Sequence, residues 1–223
     1  MNIKRIKLYH FPTSRSARVK WLLHELLDED FDTEVMALYE GAQYQPEFLQ
    51  RNPNHAVPML EITQDNGDVF TMIESGAMIS LLADAYAEKG LAPPAAGFST
   101  ARADYLQMLH FGASWMDMML WQLRLHRDLL PADQRDAATV SRYLEKFSQE
   151  VEPQLTARLE SGAFICGERF TAADCVMGQN INWARSYDLC SDTVFSNYLQ
   201  ALGERPAYRA AYADRAQFTA SPA

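Results

Sequence analysis

The amino-acid sequence predicts an α/β domain with a mixed four-stranded sheet, followed by an all-helical domain. The first third of the chain alternates between strand-like and helix-like hydrophobic patterns. A segment rich in proline, glycine and small residues, GLAPPAAGFSTAR, follows it, and helical patterns dominate beyond that point. The length of 223 residues suits two modest domains. We therefore place the α/β domain at 1–86, a linker at 87–98 and the helical domain at 99–223.

Each element of the first domain has its own sequence signal. IKRIKLYHF alternates as a strand, and TEVMALY is a second extended run. Between these runs lies an apolar stripe with helical spacing, formed by Val19, Leu22, Leu23 and Leu26. AVPMLEIT and GDVFTMI flank an Asn-Gly turn signal, which predicts an antiparallel hairpin. Because a strand–helix–strand crossover makes the first two strands parallel, the sheet is mixed, and the helix ESGAMISLLADAYAEKG follows it.

The rest of the chain has the patterns of consecutive helices. We predict them at 100–130, 134–161, 171–186 and 194–203, with a last helix from about 206. Within FTAADCV, Thr171 and Asp174 have the spacing of a capping box, which indicates a structural helix start. Cys175, which follows, is expected to be a buried small residue without a reactive role.

Composition argues against several classes of function. The net charge of −9 and the dispersed Lys and Arg residues do not suit a nucleic-acid-binding surface. No apolar stretch approaches the roughly 18 residues of a membrane-spanning helix, and the N-terminus lacks a signal-peptide pattern. The three cysteines form no CxxC pair, and the histidines show no metal-ligand spacing such as HExxH. We expect a cytoplasmic protein with no metal and no membrane or nucleic-acid partner.

A turn rich in hydroxyls stands between the first strand and the first helix. Thr13, Ser14 and Ser16 occur there together with Arg15 and Arg18. Such hydroxyls either cap the helix or, with the free N–H groups of the helix start, hold a negatively charged group. We interpret Ser16 as the helix cap and Arg15 or Arg18 as electrostatic support, while the residues by themselves leave both functions of the turn open.

Four motifs in this order resemble the cytosolic glutathione S-transferase superfamily, from one end of the chain to the other. They are TSRSARV between a strand and a helix, NPNHAVPMLEI, IESGAMISLLADAY and FICGERFTAADCVMG. The resemblance is to bacterial-type members with a serine-type turn. It implies a thioredoxin-like first domain, a helical second domain that contributes a hydrophobic substrate pocket, glutathione as co-substrate, and a homodimer active in detoxification.

The resemblance implies that Ser14 is the catalytic hydroxyl, with Thr13 beside it. A hydroxyl that donates a hydrogen bond to the sulfur of glutathione would favour the thiolate over the thiol. Alignment with tyrosine-type members instead places Tyr9 at the catalytic position, and both candidates remain open. No cysteine precedes Cys166, which excludes the mixed-disulfide chemistry of cysteine-type members.

The resemblance also implies residues that hold the peptide part of glutathione. In the family the proline matching Pro58 is cis, and the residue matching Val57 pairs with the cysteinyl part. The pair that matches Glu74 and Ser75 holds the γ-glutamyl end of glutathione. The carboxylate of that end suits the positive end of a helix dipole.

One position departs from the family pattern. Ala56 stands where the family often has a basic or amide residue that reaches the glycyl carboxylate. His55 or Asn54 is our candidate replacement, and weak glutathione binding is the alternative.

The second substrate is expected to be a small hydrophobic electrophile bound by the helical domain. YLQMLHFGASWMDMMLWQL is rich in aromatic residues and methionine, which suit an adaptable apolar pocket, although most of this stripe is expected to be core. Our pocket candidates are Tyr105, His110 and Trp115. Alternatives are a glutathione-dependent isomerase, which would want basic residues such as Arg124 and Arg127, a peroxidase, or a non-catalytic binding or regulatory protein.

Overall fold

In the computed structural model, which describes residues 3–218, the chain forms two compact units. The first unit contains the described residues up to Lys89 together with those from Glu204 onward. The second unit runs from Gly90 to Gly203.

The first unit is built on a mixed four-stranded sheet, as predicted. Its strands are β1 (Ile3–His10), β2 (Asp32–Val35), β3 (Met59–Gln64) and β4 (Val69–Met72). β1 pairs in parallel with β2 and antiparallel with β3, which pairs antiparallel with β4, so the order is β2-β1-β3-β4. Gly67 has a φ of 90° in the β3–β4 hairpin, a conformation that glycine adopts without a steric penalty. The Asn-Gly hairpin prediction is therefore confirmed.

Helices cover the sheet of the first unit. They are α1 (Ser16–Leu27), α2 (Pro46–Leu49), α3 (Ser75–Ala85) and α10 (Pro206–Ala211). The predicted apolar stripe of α1 is confirmed as core, because all four of its side chains are at most 1% exposed. α1 begins at Ser16, before the first residue of that stripe.

The last described helix belongs to the first unit because it packs on α1. The Tyr208 ring meets Trp21 edge to face, with 4.9 Å between ring centroids. Arg205 binds both carboxylate oxygens of Glu25 at 2.6 Å, and Trp21 Nε1 donates to the same carboxylate at 2.9 Å. The predicted division assigned this segment to the helical domain at 99–223, and residues 219–223 lie outside the described residues.

The second unit is helical. Its α-helices are α4 (Thr100–His110), α5 (Asp117–Arg124), α6 (Ala137–Lys146), α7 (Glu152–Ser161), α8 (Ala172–Arg185) and α9 (Thr193–Gly203). The predicted segments 100–130 and 134–161 each contain two α-helices joined by a π-helical stretch. Gly112 lies in the first of these stretches, where an added Cβ would approach Val176 to 2.8 Å. The absence of a side chain there lets α8 pack closely.

Asp174 organises the start of α8. It is fully buried, and its carboxylate accepts the N–H groups of Thr171 at 2.8 Å and Ile165 at 2.9 Å. The hydroxyl of Tyr198 donates to it at 2.8 Å. The predicted capping box is confirmed, and Cys175 is fully buried, as expected.

We expect Asp174→Ala to reduce the free energy of unfolding by about 2–4 kcal/mol, because it leaves several buried donors without an acceptor. Asp136→Ala is the matched control, since Asp136 caps the exposed start of α6, where it accepts the Ala138 N–H at 3.0 Å and the Thr139 hydroxyl at 2.6 Å. That control should cost about 1 kcal/mol. Denaturant unfolding measures both, and equal losses would contradict the organising role of Asp174.

Candidate functional site

Three segments meet at one edge of the first unit because of the strand register. The β1–β3 pairing ends with Tyr9 opposite Met59, so the turn after β1 lies beside the segment that precedes β3. β4 is antiparallel to β3 with Met72 opposite Leu60, so β4 ends at the same edge. We call this place, formed by residues 11–16, 52–58 and 73–75, the site edge.

An apolar cluster lies beneath the site edge and joins its segments. The buried members of the cluster are Tyr9, Phe11, Met36, Phe48, Val57 and Met59, with Ile73 packed against them. Phe11, Val57 and Ile73 each come from a different segment of the site edge. Burial of these side chains therefore holds the three segments together.

Ser14 is the partly buried hydroxyl of the turn after β1. Its Oγ donates to the Phe11 carbonyl at 2.7 Å and accepts the Ser16 N–H at 3.2 Å. It also lies 2.8 Å from Ser16 Oγ. Thr13, beside it, is exposed and has a φ of 62°. The turn thus holds Ser14 by contacts with both ends of the turn.

The interpretation of Ser16 as the helix cap is wrong. α1 begins at Ser16, but its hydroxyl lies 2.7 Å from His10 Nδ1, accepts the Phe11 N–H at 3.0 Å and is fully buried. The hydroxyl that accepts a helix-start N–H is that of Ser14. His10, buried on β1, is a site residue that the sequence reasoning missed, because the alternation of a strand does not indicate which residues a histidine side chain bonds.

The Tyr9 hydroxyl is hydrogen-bonded to both members of the Arg51–Glu61 ion pair. The Tyr9 hydroxyl donates to Glu61 Oε2 at 3.1 Å and accepts a hydrogen bond from Arg51. Arg51 also donates to Glu61 Oε1 at 2.7 Å, and its guanidinium lies 4.8 Å from the centre of the Tyr9 ring. The Tyr9 proton is therefore engaged by a carboxylate, and Arg51 and Glu61 are partners that the sequence did not reveal.

The segment before β3 is shaped by Asn52, a second residue that the sequence reasoning missed. Asn52 is 1% exposed; its Oδ1 accepts the Asn54 N–H at 3.0 Å and its Nδ2 donates to the Ala56 carbonyl at 2.7 Å. Asn and Asp side chains commonly hold turns in this way, so NPN carried the signal. The Val57–Pro58 peptide bond is cis, as the resemblance implied.

His55 and Asn54 have exposed side chains at the tip of this segment. The His55 ring lies 5.0 Å from the ring of Tyr44. Ala56 is exposed beside them. His55 and Asn54, our candidates for reaching the glycyl carboxylate in place of Ala56, thus both face solvent at the site edge.

α3 begins at the site edge with its N–H groups uncapped by side chains of the described residues. Glu74 is the exposed N-cap residue, and Ser75 follows at 7% exposure. The first N–H groups of a helix and its dipole attract carboxylates. This arrangement is suited to binding a carboxylate group.

Each segment of the site edge contains a non-glycine residue with positive φ. The values are 62° for Thr13, 43° for His55 and 73° for Glu74. Such conformations cost on the order of 1–3 kcal/mol and concentrate where a ligand is bound. Their coincidence at one edge supports a binding site there.

The pocket candidates lie in the second unit. Tyr105 is fully buried on α4, whereas His110 is exposed and Trp115 is 42% exposed. Lys146 Nζ lies 5.1 Å from the centre of the Trp115 ring. Of these three side chains, only His110 and Trp115 offer accessible surface to a ligand.

Two kinds of feature are absent from the described part of the chain. Within residues 3–218, no group of three or more His, Cys, Asp or Glu side chains is arranged to hold a metal ion. No helix in the same range is long and apolar enough to cross a membrane.

Known proteins resemble this chain in sequence. The family model for the glutathione S-transferase N-terminal domain matches residues 8–90. Glutathione S-transferase 3 of Zea mays is 31% identical over 76% of this chain and 73% of its own length. The disulfide-bond oxidoreductase YfcG of Escherichia coli is 29% identical over 91% of this chain and 92% of its own length.

Solved structures resemble it in fold. A glutathione transferase from Methylococcus capsulatus has a TM-score of 0.79 and 26% identity, covering 96% of this chain and all of the other. A glutathione transferase family member from Pseudomonas fluorescens, with two glutathione bound, has a TM-score of 0.77 and 25% identity, covering 94% of this chain and 92% of its own. The predicted thioredoxin-like domain followed by a helical domain is confirmed.

We expect Asn52→Ala to loosen the segment before β3 and to lower the free energy of unfolding by about 1–3 kcal/mol, because the Asn54 N–H and the Ala56 carbonyl both lose the buried amide that they bond. Asn54→Ala is the matched control, since only its backbone N–H takes part in this bonding. Thermal unfolding compares the two, and an equal effect of both substitutions would contradict the role given to Asn52.

Proposed function

Because the chain belongs to the glutathione S-transferase family, we propose that it binds glutathione at the site edge and that Ser14 stabilises the glutathione thiolate. The observation that carries this proposal is the strand register, which brings Ser14, the Val57–Pro58 segment and the start of α3 to one edge. Glutathione needs all three kinds of group, because it has a thiol, a peptide backbone and carboxylates.

The peptide part of glutathione extends from the sulfur in two directions. Val57 lies just outside the β1–β3 ladder, so its backbone groups suit pairing with the cysteinyl part. Ser75 and the N–H groups of α3 donate hydrogen bonds to the γ-glutamyl carboxylate, with Glu74 near the ammonium. His55 or Asn54 reaches the glycyl carboxylate in place of Ala56.

Ser14 has enough hydrogen-bonding strength for thiolate formation. A thiol of pKa about 8.5 is mostly protonated at pH 7, and lowering its pKa by about two units requires about 2.7 kcal/mol. A hydrogen bond to a charged group contributes about 1.5–3 kcal/mol, and a helix N-terminus about 0.3–1 kcal/mol. To act, Ser14 turns its proton from the Phe11 carbonyl to the sulfur.

Tyr9 is the weaker candidate of the two. Its proton already goes to the Glu61 carboxylate, and its oxygen already accepts from Arg51. A thiolate would have to displace a charge-assisted hydrogen bond, which is stronger than the neutral bond that Ser14 gives up. We therefore assign activation of the sulfur to Ser14, with Thr13 shaping the turn.

The reaction we propose is addition of the thiolate to a small hydrophobic electrophile. The candidates for its binding are His110 and Trp115 of the second unit, because the third predicted residue, Tyr105, is fully buried. A homodimer, a cytoplasmic location and a role in detoxification belong to the same proposal. The isomerase alternative gains little support from Arg124 and Arg127, since Arg124 pairs with Asp128 at 3.7 Å and Arg127 stacks over the Tyr187 ring.

Disulfide reduction is the second candidate function, favoured by the similarity to YfcG of Escherichia coli along 91% of this chain. No cysteine precedes Cys166, so the reactive sulfur must come from glutathione. Its thiolate would attack one sulfur of a disulfide, form a mixed disulfide and release the other sulfur as thiolate. A second glutathione thiolate would then release the remaining thiol and yield glutathione disulfide.

We expect bound glutathione to have a thiol pKa about two units below its solution value, and Ser14→Ala to reverse one to two of those units. Thiolate absorbance against pH measures this, and Tyr9→Phe is the control that should retain the shift. If the pKa shift is lost in Tyr9→Phe and kept in Ser14→Ala, Tyr9 on β1 is the residue that stabilises the thiolate. Tight binding without any shift would favour a non-catalytic binding protein.

The two candidate reactions share this thiolate, so we expect Ser14→Ala to slow both by about 5- to 50-fold at pH 6.5, in proportion to the thiolate lost. Conjugation is measured with a small aryl halide, and reduction with a small dialkyl disulfide plus glutathione. The faster wild-type reaction identifies the function. A wild-type protein that accelerates neither reaction would refute both assignments.

A further inference from the structure

Four polar side chains form a hydrogen-bonded row that ends at the proposed catalytic serine. Asp214 Oδ2 lies 3.3 Å from His10 Nε2, and His10 Nδ1 lies 2.7 Å from Ser16 Oγ. Ser16 Oγ lies 2.8 Å from Ser14 Oγ. His10 and Ser16 are both fully buried, so their hydrogen bonds are made within the protein. We call these residues the polar row; it connects the segment after α10 with the turn after β1.

The neighbours of His10 determine which ring nitrogen carries the proton. Burial, with a contribution from Lys20 on α1, lowers the pKa of His10 to about 4, so the ring is neutral at pH 7. Asp214 pairs with Lys20 Nζ at 2.7 Å, and a carboxylate accepts hydrogen bonds only. The single ring proton is therefore placed on Nε2, where it is donated to Asp214. Nδ1 is left as an acceptor.

The hydroxyl protons follow from this tautomer. Ser16 has one proton, and the short contact with Nδ1 takes it. Ser16 Oγ then acts as an acceptor for the Phe11 N–H and for Ser14. The Ser14 proton consequently has two acceptors inside the turn, the Phe11 carbonyl and Ser16 Oγ. With its proton held there, Ser14 presents a lone pair to a ligand, which suits a neutral thiol.

A thiolate requires the opposite orientation of Ser14. When Ser14 donates to sulfur, the Phe11 carbonyl keeps only the longer bond from the Ser14 N–H, at 3.3 Å. The Ser16 hydroxyl lies 3.0 Å from the same carbonyl and could replace the lost donor. Ser16 can donate to the Phe11 carbonyl only when its proton is not donated to His10 Nδ1.

We propose that His10 is a positioning residue that acts through Ser16 and restrains the turning of Ser14 toward the glutathione sulfur. Because His10 accepts the Ser16 proton, Ser14 is the hydroxyl that donates to the Phe11 carbonyl. Asp214 maintains this state by fixing the ring proton on Nε2. No proton of the polar row is lost on ionisation, because the thiol proton passes to solvent. The inference rests on the proposed function, since it concerns the same thiolate.

The test is the thiol pKa of bound glutathione in variants of His10. His10→Leu removes the acceptor at similar volume and should lower that pKa by about half a unit to one unit, the effect of one neutral hydrogen bond. His10→Asn can restore an acceptor toward Ser16 and should return the pKa to the wild-type value. In a Ser16→Ala background, His10→Leu should have no effect on the pKa.

A second measurement does not depend on glutathione or on the stability of His10→Leu. The ¹⁵N chemical shifts of the histidine side chains should show His10 protonated on Nε2 in the wild type. Asp214→Asn should increase the form protonated on Nδ1, because the acceptor that fixes the tautomer is lost. Lys20→Gln is the matched control, since it breaks the same ion pair but keeps Asp214, and should retain the wild-type tautomer.

The outcomes separate this inference from the proposed function. If Ser14→Ala does not change the thiol pKa, the proposed function is wrong and the inference falls with it. If Ser14→Ala abolishes the shift but His10→Leu raises the pKa, the inference alone is wrong. The same holds if His10→Leu acts equally in the Ser16→Ala background. A wild-type His10 protonated on Nδ1 would overturn it directly.

Discussion

The pairing of β1 with β3 is the constraint on which the site depends. Because the ladder ends with Tyr9 opposite Met59, the turn after β1, the segment before β3 and the start of α3 share one edge. The apolar cluster beneath that edge, which includes Phe11 and Val57, fixes this arrangement by burial. A slip of one residue would send these side chains to the other face and separate the polar groups of the site.

Hydrogen-bond supply is the second constraint, because each hydroxyl has a single proton. Ser14 and Ser16 share the Phe11 carbonyl as an acceptor, and His10 competes for the Ser16 proton. In the function that we propose, the strength with which Ser14 holds a sulfur anion therefore depends on side chains placed behind it in the polar row. Asp214, about two hundred residues further along the chain, enters this competition because α10 packs on α1.

The site edge, where we propose that glutathione binds, contributes no cysteine of its own. Conjugation and disulfide reduction both begin with a glutathione thiolate, so the same geometry is compatible with either reaction. What distinguishes them is the second substrate, and the residues nominated for it lie in the other unit. The relatives of this chain include proteins named for each kind of chemistry, and one fold hosts several functions.

The sequence by itself determined the order of elements, the mixed sheet and the capping box at Asp174, because periodicity and turn chemistry are local properties. Resemblance added the segments expected to form the site and the cis bond before Pro58. Only the tertiary structure revealed that Ser16 bonds to His10 instead of capping α1 and that Glu61 engages Tyr9. Side-chain hydrogen bonds between distant elements depend on strand register and helix packing, which no local pattern specifies.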